Sequence, residues 1–352
     1  MSRSIHFVGS APFPDARTAL RTFGQLNDLA TRFPDGEPGA RGTWLLWQTR
    51  IFRQHEDFVP DRTNVDWRRP DVEITTFRVR PGRAPGAVRF GDLGYAAEAS
   101  RSYAIFRELM AEGVLPPASK FQVSLPTPFC IVWFHVADVS EQVAIEPAFE
   151  DAMRREVDQI ASVIPAEHLS IQWDVATEMI GLERGTVGGP GTAFPDRVRQ
   201  FDDMLDSLGR SVARLCGFVP QDIDAMVHLC FGDWGHKHSI EPKDASKMVA
   251  FANAIFAHAT RRINLIHLPV PRERYDEAFF APLQDLRLPP ATQLALGLVH
   301  HTDGLEGTLR RMRTANKFVA NYAIGTDCGL GRRRPETITE LLRIHREAAQ
   351  AA

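Results

Sequence analysis

Along the chain, short apolar runs alternate with longer stretches in which apolar residues recur at helical spacing. The short runs have the length of buried strands and lie at residues 5–9, 44–47, 121–124, 169–173, 226–230, 263–268, 294–299 and 322–326. Between them, apolar positions at i, i+3, i+4 and i+7 predict amphipathic helices over residues 97–110, 146–163, 196–215, 246–260, 308–321 and 336–349. This alternation of strands and helices predicts an α/β protein.

Eight predicted strands, each with a crossover behind it, indicate a TIM (β/α)8 barrel formed as a single domain by residues 1–352. A doubly wound open sheet is the second choice, but no Gly-rich dinucleotide fingerprint follows any predicted strand. Two insertions are expected. Residues 52–93 are rich in Pro, Asp and Arg and include an alternating run at 72–79 that fits a hairpin. Residues 183–195 form a Gly/Pro-rich loop after the fourth strand, which fits a mobile lid or a passive loop equally.

Composition excludes several classes of protein. Hydrophobic residues make up 44% and charged residues 24% of the 352 positions, as in ordinary globular proteins. The formal net charge of −3 gives no electrostatic reason to expect a nucleic acid or an anionic membrane as partner. No segment approaches the roughly 20 apolar residues of a membrane span, and the N-terminus lacks the apolar core of a signal peptide. A cytoplasmic protein is therefore expected.

Sulfur and imidazole groups occur where predicted strands end. The chain holds four cysteines, too few and too scattered for a disulfide framework. His228 and Cys230 are two apart on the fifth predicted strand, so their side chains face the same way. Cys328 follows the eighth strand and His267 ends the sixth, at the same rim of a barrel. Two thiols with one or two imidazoles suit Zn²⁺ and leave a position for substrate. Such an ion would activate either a thiol or a water molecule, so the ligands alone leave the reaction open.

Further polar and aromatic residues lie near the same rim. His236 and His238, in the loop after the fifth predicted strand, are candidates for general acid/base catalysis. His301 follows the seventh strand and is a third candidate catalytic residue, acting by orienting a neighbour through a hydrogen bond. Trp173 and Trp234 are candidates for an aromatic wall of the substrate pocket. Core packing, or a solvated loop, is the alternative for each of these residues.

Several motifs, in order along nearly the whole chain, resemble those of one family. They read FVGS at 7–10, FQVSLPTP at 121–128, IQWD at 171–174, HLC at 228–230, LGLV at 296–299 and DCGL at 327–330. This set is similar to the catalytic barrel of cobalamin-independent methionine synthase, in the superfamily that includes uroporphyrinogen decarboxylase. The resemblance implies a barrel with zinc on His228, Cys230 and Cys328, and with His267 at the position of the family's fourth ligand, a Glu.

The resemblance also implies an activity and a substrate site. Ser10 and Asp174 are expected to bind the carboxylate and the amino group of an amino-acid thiol. An acidic contact that the family has after its second strand is missing by this alignment, with Gln48 and Arg50 in its place, so Gln48 is expected at the substrate and homocysteine is not assured. The implied function is zinc-dependent methyl or alkyl transfer to a thiol that zinc activates as a thiolate. The methyl donor is expected to be methyltetrahydrofolate or a methylcorrinoid, the latter with a corrinoid protein as partner.

Four alternatives remain at this point. The same barrel could transfer an alkyl group from an epoxide or an aryl methyl ether to a different thiol. It could be a zinc hydrolase or lyase with water at the open position. A decarboxylase of the uroporphyrinogen type needs no metal and would leave the two cysteine motifs unexplained. A non-catalytic binding protein would tolerate replacement of Cys328 without loss of activity.

Overall fold

The computed structural model describes residues 2–66, 69–233 and 237–351, and over these residues its main element is a parallel sheet of seven strands. The strands along the chain are β1 (Arg32–Pro34), β2 (Phe58–Asp66), β3 (Arg69–Val79), β4 (Lys120–Pro126), β5 (Leu169–Val175), β6 (Val187–Gly188), β7 (Val198–Arg199), β8 (Asp224–Leu229), β9 (Leu265–Pro269), β10 (Gln293–Val299) and β11 (Ala323–Thr326). The order in the large sheet is β1–β4–β5–β8–β9–β10–β11, and each neighbouring pair is parallel.

Helices connect the strands of this sheet. They are α1 (Ala16–Phe23), α2 (Thr49–Gln54), α3 (Tyr95–Ala111), α4 (Pro128–His135), α5 (Val139–Val163), α6 (Thr177–Arg184), α7 (Met204–Phe218), α8 (Ser246–His258), α9 (Glu277–Phe280), α10 (Gly304–Ala315) and α11 (Ile338–Gln350). Among the residues that the structure describes, no helix has both the length and the apolar content needed to cross a membrane. The alternating order confirms the predicted α/β class.

The first predicted strand, residues 5–9, does not form a regular strand. Ile5 makes one isolated parallel bridge to Ile324 in β11, and its backbone N–H donates to the carbonyl of Leu29 at 2.9 Å. Ser10 makes a second isolated bridge, to Gly36 just beyond β1. The segment thus touches both edge strands of the sheet, which must curl to allow it. The expected closed barrel of eight regular strands is replaced, within the described residues, by a curled seven-stranded sheet whose edges this irregular segment links.

The second predicted strand was wrong. Residues 44–47 lie in a 3₁₀-helical segment, Gly39–Gln48, and the strand beside β4 is β1. A four-residue apolar run does not distinguish a strand from a buried helical turn by periodicity. Trp44 has a left-handed backbone conformation, with φ of 54°, which interrupts the segment and is incompatible with a strand.

The other six strand predictions are confirmed within about two residues at each end. The helix predictions differ mainly at their ends. Helix α7 begins at Met204 instead of residue 196 because Asp203 caps it, accepting a hydrogen bond from the Asp206 N–H at 3.0 Å. Helix α5 begins at Val139, before the predicted residue 146, and α10 ends at Ala315, before residue 321.

The two expected insertions have secondary structure of their own. In residues 52–93, β2 and β3 form the antiparallel hairpin that the alternating run predicts. Residues 183–195 do not follow the fourth predicted strand directly, because α6 comes between them. The short antiparallel pairing of β6 with β7 closes the loop that these residues enter. Movement of this loop as a lid stays a prediction.

Side chains inside the curl form layers, because alternate residues of each strand face inward. The layer nearest the amino ends of β8 to β11 is apolar and consists of Met226, Leu265, Ala295 and Ala323. Two residues further along the same strands are His228, His267, Gly297 and Gly325. The two glycines let neighbouring backbone approach closely: a Cβ on Gly325 would lie 2.6 Å from the carbonyl oxygen of His6 and 3.6 Å from Nε2 of His267, and one on Gly297 would lie 2.7 Å from Cα of Asp327. The polar layer formed by these histidines is the floor of the candidate site.

Candidate metal centre and substrate cavity

Three residues from distant parts of the chain come together at the carboxyl ends of the strands. Potential ligand atoms of His228, Cys230 and Cys328 all lie within 4.8 Å of one another, and the two sulfurs are 3.6 Å apart. His228 is on β8, Cys230 follows that strand directly, and Cys328 lies two residues past β11. Because the sheet curls, the ends of β8 and β11 lie close together although β9 and β10 separate these strands in the sheet. The arrangement is that of a small ligand cage for a borderline-soft cation.

The electrostatics of this cluster favour neutral groups in the absence of a cation. The hydrogen bond with Cys230, together with burial, raises the pKa of the Cys328 thiol well above its ordinary value. Burial, helped by the neighbouring charges of His267 and His6, lowers the pKa of His228 well below its ordinary value. A metal ion that binds a neutral imidazole and two thiols displaces only the protons of the thiols, because the imidazole already has a free lone pair.

His267 does not complete the cluster as the sequence predicts. The group of described residues within reach of one ion contains His228 and the two cysteines only. His267 is fully buried beside this group, and its Nδ1 lies 2.7 Å from Nδ1 of His228. The two histidines are paired across β8 and β9 in the strand register. The predicted fourth ligand is therefore a hydrogen-bond neighbour of a candidate ligand.

The cluster opens into a cavity. One part of its wall is polar and consists of Ser10, Glu37, Asp174, Asp233, Ser239 and Arg332. The other part is largely apolar and comes from Val8, Trp44, Leu45, Leu46, Phe134, Ala176 and Ile180. A reactant can thus be held by its charged end on one side while an apolar surface limits water on the other.

Two of the carboxyl groups that line this cavity belong to Asp174, at the end of β5, and Glu37, shortly after β1. Burial raises the pKa of Glu37 to about 7. Burial, together with the charge of Glu37, raises the pKa of Asp174 well above its ordinary value, although Gln172 donates a hydrogen bond to its Oδ1 at 2.8 Å. A bound cation would relieve both the burial penalty and the mutual repulsion, so the pair suits a substrate ammonium group.

Glu37 is an acidic residue at the cavity, whereas the sequence predicts none after the second strand. The expectation was wrong because the second strand was placed at residues 44–47, which put Gln48 and Arg50 after it. The signal was present in Asp35-Gly36-Glu37, which follows β1 directly. Gly36 has φ of 80°, and its carbonyl accepts a hydrogen bond from the backbone N–H of Ala11, so the turn is locked against the N-terminal segment.

Gln48 and Trp173 are not at the cavity. Among the described residues that line it, neither appears. Gln48 is fully buried and donates a hydrogen bond to the carbonyl of Leu93 at 3.3 Å. Trp173 is also fully buried, on the face of β5 opposite to Gln172 and Asp174, because side chains alternate along a strand. Both predicted substrate contacts are core residues.

Ser10 lies where the sequence predicts, at the cavity and beside the loop that carries Cys328. Its Oγ accepts a hydrogen bond from the backbone N–H of Gly331 at 3.2 Å, and its carbonyl accepts one from Leu330 at 2.6 Å. These bonds join the beginning of the chain to the segment after β11. Its role in binding a substrate stays a prediction.

The candidate catalytic histidines have different surroundings. Burial opposes protonation of His238, but hydrogen bonds to Asp327 and Glu241, each at 3.3 Å, raise its pKa to about 10. His238 is thus a cation at neutral pH and is poorly suited to act as a general base. His301 is half-buried near Glu340, and it is absent from the described residues lining the cavity. Trp234 and His236 lie outside the described residues.

One buried acid behind the cavity predicts how stability depends on pH. Burial raises the pKa of Glu178, in α6, from 4.5 to about 7. The folded protein therefore loses stability as pH rises from 4.5 through 7, because the buried carboxyl must ionise there; the shift corresponds to about 3 kcal/mol. We expect Glu178→Gln to exceed wild type in melting temperature by an amount that grows between about pH 5 and pH 8. Scanning calorimetry measures this, with Glu273→Gln as the surface control, because the Glu273 side chain is 72% exposed. A difference that does not vary with pH would contradict the assignment.

Comparison with solved structures confirms the resemblance at the level of the fold. The chain is similar to a B12-independent methionine synthase from Shewanella sp. W3-18-1, solved in complex with selenomethionine, with a TM-score of 0.64 and 14% identity over 100% of this chain and 98% of that chain. It is also similar to a candidate vitamin-B12-independent methionine synthase from Listeria monocytogenes, with a TM-score of 0.57 and 12% identity over 100% and 99% of the two chains.

The chain has the fold of these proteins. At such low identity the similarity establishes the fold and leaves the activity to be argued from the site. A scan against protein-family models finds no match, and a search of curated protein sequences finds no significant one.

Proposed function

We propose that this protein is a zinc-dependent transferase that moves a methyl or other alkyl group onto the thiol of an amino-acid acceptor. The observation that carries the proposal is the position of His228, Cys230 and Cys328 at the floor of the cavity that Glu37 and Asp174 also line. Such a cavity has a place for a soft cation and a place for an ammonium group. The fold shared with methionine synthase structures supports the same activity.

The residues of the cluster fit zinc. Two sulfurs and one imidazole nitrogen are a common zinc ligand set, and a fourth position remains for a substrate atom. Nε2 of His228 is buried and, within the described part of the chain, has no hydrogen-bond partner. A buried polar atom without a partner destabilises the folded protein unless a ligand binds to it. Zinc bound there would lower the pKa of an acceptor thiol and so supply a thiolate at neutral pH.

The remaining cavity residues would bind and orient the reactants. Glu37 and Asp174 would hold the ammonium group of the acceptor, which supports homocysteine as the thiol, and Ser10 would hold its carboxylate. The apolar wall around Trp44 and Phe134 would receive the alkyl donor and limit the water that solvates a thiolate. We propose methyltetrahydrofolate as the donor, with a methylcorrinoid as the alternative. Residues 1–352 would act as one barrel domain, with the segment at 5–11 in place of an eighth regular strand.

Metal analysis and a thiol assay on the purified wild-type protein test this function. We expect about one zinc ion per chain and, with methyltetrahydrofolate or methylcobalamin as donor, conversion of homocysteine to methionine, detected by mass spectrometry. Released hydrolysis products, with homocysteine acting only as an inhibitor, would instead indicate the zinc hydrolase. Zinc-free protein without methyl transfer would reject the proposal.

A further inference from the structure

The pair of buried histidines at the floor of the cavity has an unusual geometry. His228 and His267 occupy paired positions on β8 and β9, and both point into the curl. Their ring centroids are 4.8 Å apart, their planes are tilted by 47°, and the two Nδ1 atoms are 2.7 Å apart. This distance is that of a hydrogen bond between the rings.

A hydrogen bond between two Nδ1 atoms constrains where the protons lie. One Nδ1 must donate and the other must accept, so at least one of the two rings is neutral. When His228 donates from Nδ1 as a neutral ring, its Nε2 carries a lone pair and no proton. This is the form of imidazole that binds a metal ion. Nε2 of His228 has no hydrogen-bond partner among the described residues, so it is available for that purpose.

His267 is poorly placed to be a ligand itself. Its Nδ1 is engaged by His228. Its Nε2, like that of His228, has no hydrogen-bond partner among the described residues, but it lies toward Gly325, and His267 is outside the group of described residues that can hold one ion. On its other side the ring of His6 lies 5.4 Å away, centroid to centroid. Movement toward the sulfurs would break the hydrogen bond that orients His228.

We infer that His267 is a positioning residue that fixes the tautomer and orientation of His228, and that zinc has three protein ligands here. The inference rests on the proposed zinc site and deepens it. Two thiolates would neutralise the charge of Zn²⁺, and a neutral imidazole would add none, so the occupied site would carry no net charge. The family's Glu would add a negative charge at this position. At the fourth position, an occupied site without net charge would repel an anionic acceptor thiolate less than a site that includes this Glu.

Zinc affinity and zinc X-ray absorption of variants test the inference. We expect His267→Ala to weaken zinc binding 10- to 100-fold in chelator competition, since the partner that orients His228 is lost. His267→Gln should restore affinity to within a few-fold, because its amide oxygen can accept the hydrogen bond from His228. Absorption spectra should show two sulfurs and one imidazole in wild type and in His267→Gln alike. His345→Ala, which removes a buried imidazole from α11, is the matched control and should bind zinc like wild type.

Other results of the zinc-binding experiments would overturn the inference. A second imidazole in wild type that disappears in His267→Gln would show that His267 is a ligand. Unchanged affinity in His267→Ala would show that it has no role. If His267→Ala does not fold, the absorption spectra of wild type and His267→Gln decide. Failure of the proposed function is distinguishable: zinc binding with the expected ranking of variants but without alkyl transfer rejects only the reaction, whereas zinc-free wild type rejects both.

Discussion

Replacing Cys230 or Cys328 by Ser is expected to remove bound zinc and to lower thiol alkylation by roughly 1,000-fold, which corresponds to about 4 kcal/mol of activation free energy. The two sulfurs are 3.6 Å apart and supply two of the three proposed ligands, so loss of either leaves only two. A serine hydroxyl is a weak ligand for this cation, and the acceptor thiol would then stay protonated. Zinc content measured by mass spectrometry and initial rates of methyl transfer check the prediction.

Cys216→Ser is the matched control. Cys216 is buried in α7, and it is not part of the group of described residues that can hold one ion. The variant should keep its zinc and its rate even if it is less stable, because the change buries a hydroxyl in an apolar core. Equal zinc in wild type, Cys230→Ser and Cys328→Ser would remove the proposed site.

The second large effect concerns the choice of acceptor. Glu37→Gln and Asp174→Asn are each expected to lower kcat/KM for homocysteine about 100-fold, because a hydrogen bond to a charged group contributes up to about 3 kcal/mol. For 4-mercaptobutyrate, which is homocysteine without its amino group, each variant should act within a few-fold of wild type. Steady-state kinetics with the two thiols measure the difference directly.

The comparison of the two thiols makes this test specific. Glu150→Gln makes the same chemical change on α5, where Glu150 pairs with Arg214 away from the cavity. In that variant, kcat/KM should be the same as in wild type for both thiols. An equal loss of kcat/KM with homocysteine and with 4-mercaptobutyrate would contradict ammonium binding. It would indicate that the two carboxyl groups stabilise the fold instead.

Features that depend on local spacing were predictable from the sequence. Strands β4, β5, β8, β9, β10 and β11 were located because strands buried on both faces are nearly continuous apolar runs. That His228 and Cys230 share a face follows from their separation of two on a strand. The placement of Asp174 at the cavity is implied by the family resemblance of the IQWD motif at 171–174.

The second strand shows where this reasoning fails. β1 has only three residues, Arg32–Pro34, and its sequence has no apolar alternation. It is a strand because it pairs with β4, a contact between residues about 90 positions apart in the chain. The stronger apolar run at 44–47 predicts the strand instead, and any acidic residue after that run would lie beyond Glu37 in the chain. Pairing partners, which local pattern does not encode, determined the outcome.

By itself the sequence determined the α/β class, six of the seven strands of the large sheet (β4, β5 and β8 to β11) and the residue types of the proposed zinc site. Only the tertiary structure brought Cys328 to within 3.6 Å of Cys230, because that distance depends on the curl of the whole sheet. Only the structure placed Glu37 in the same cavity as Asp174, and only the structure showed that His267 is a hydrogen-bond partner of His228. A histidine at the end of a strand has the same local sequence whether it faces an ion or a neighbouring ring; contacts between strands decide which it does.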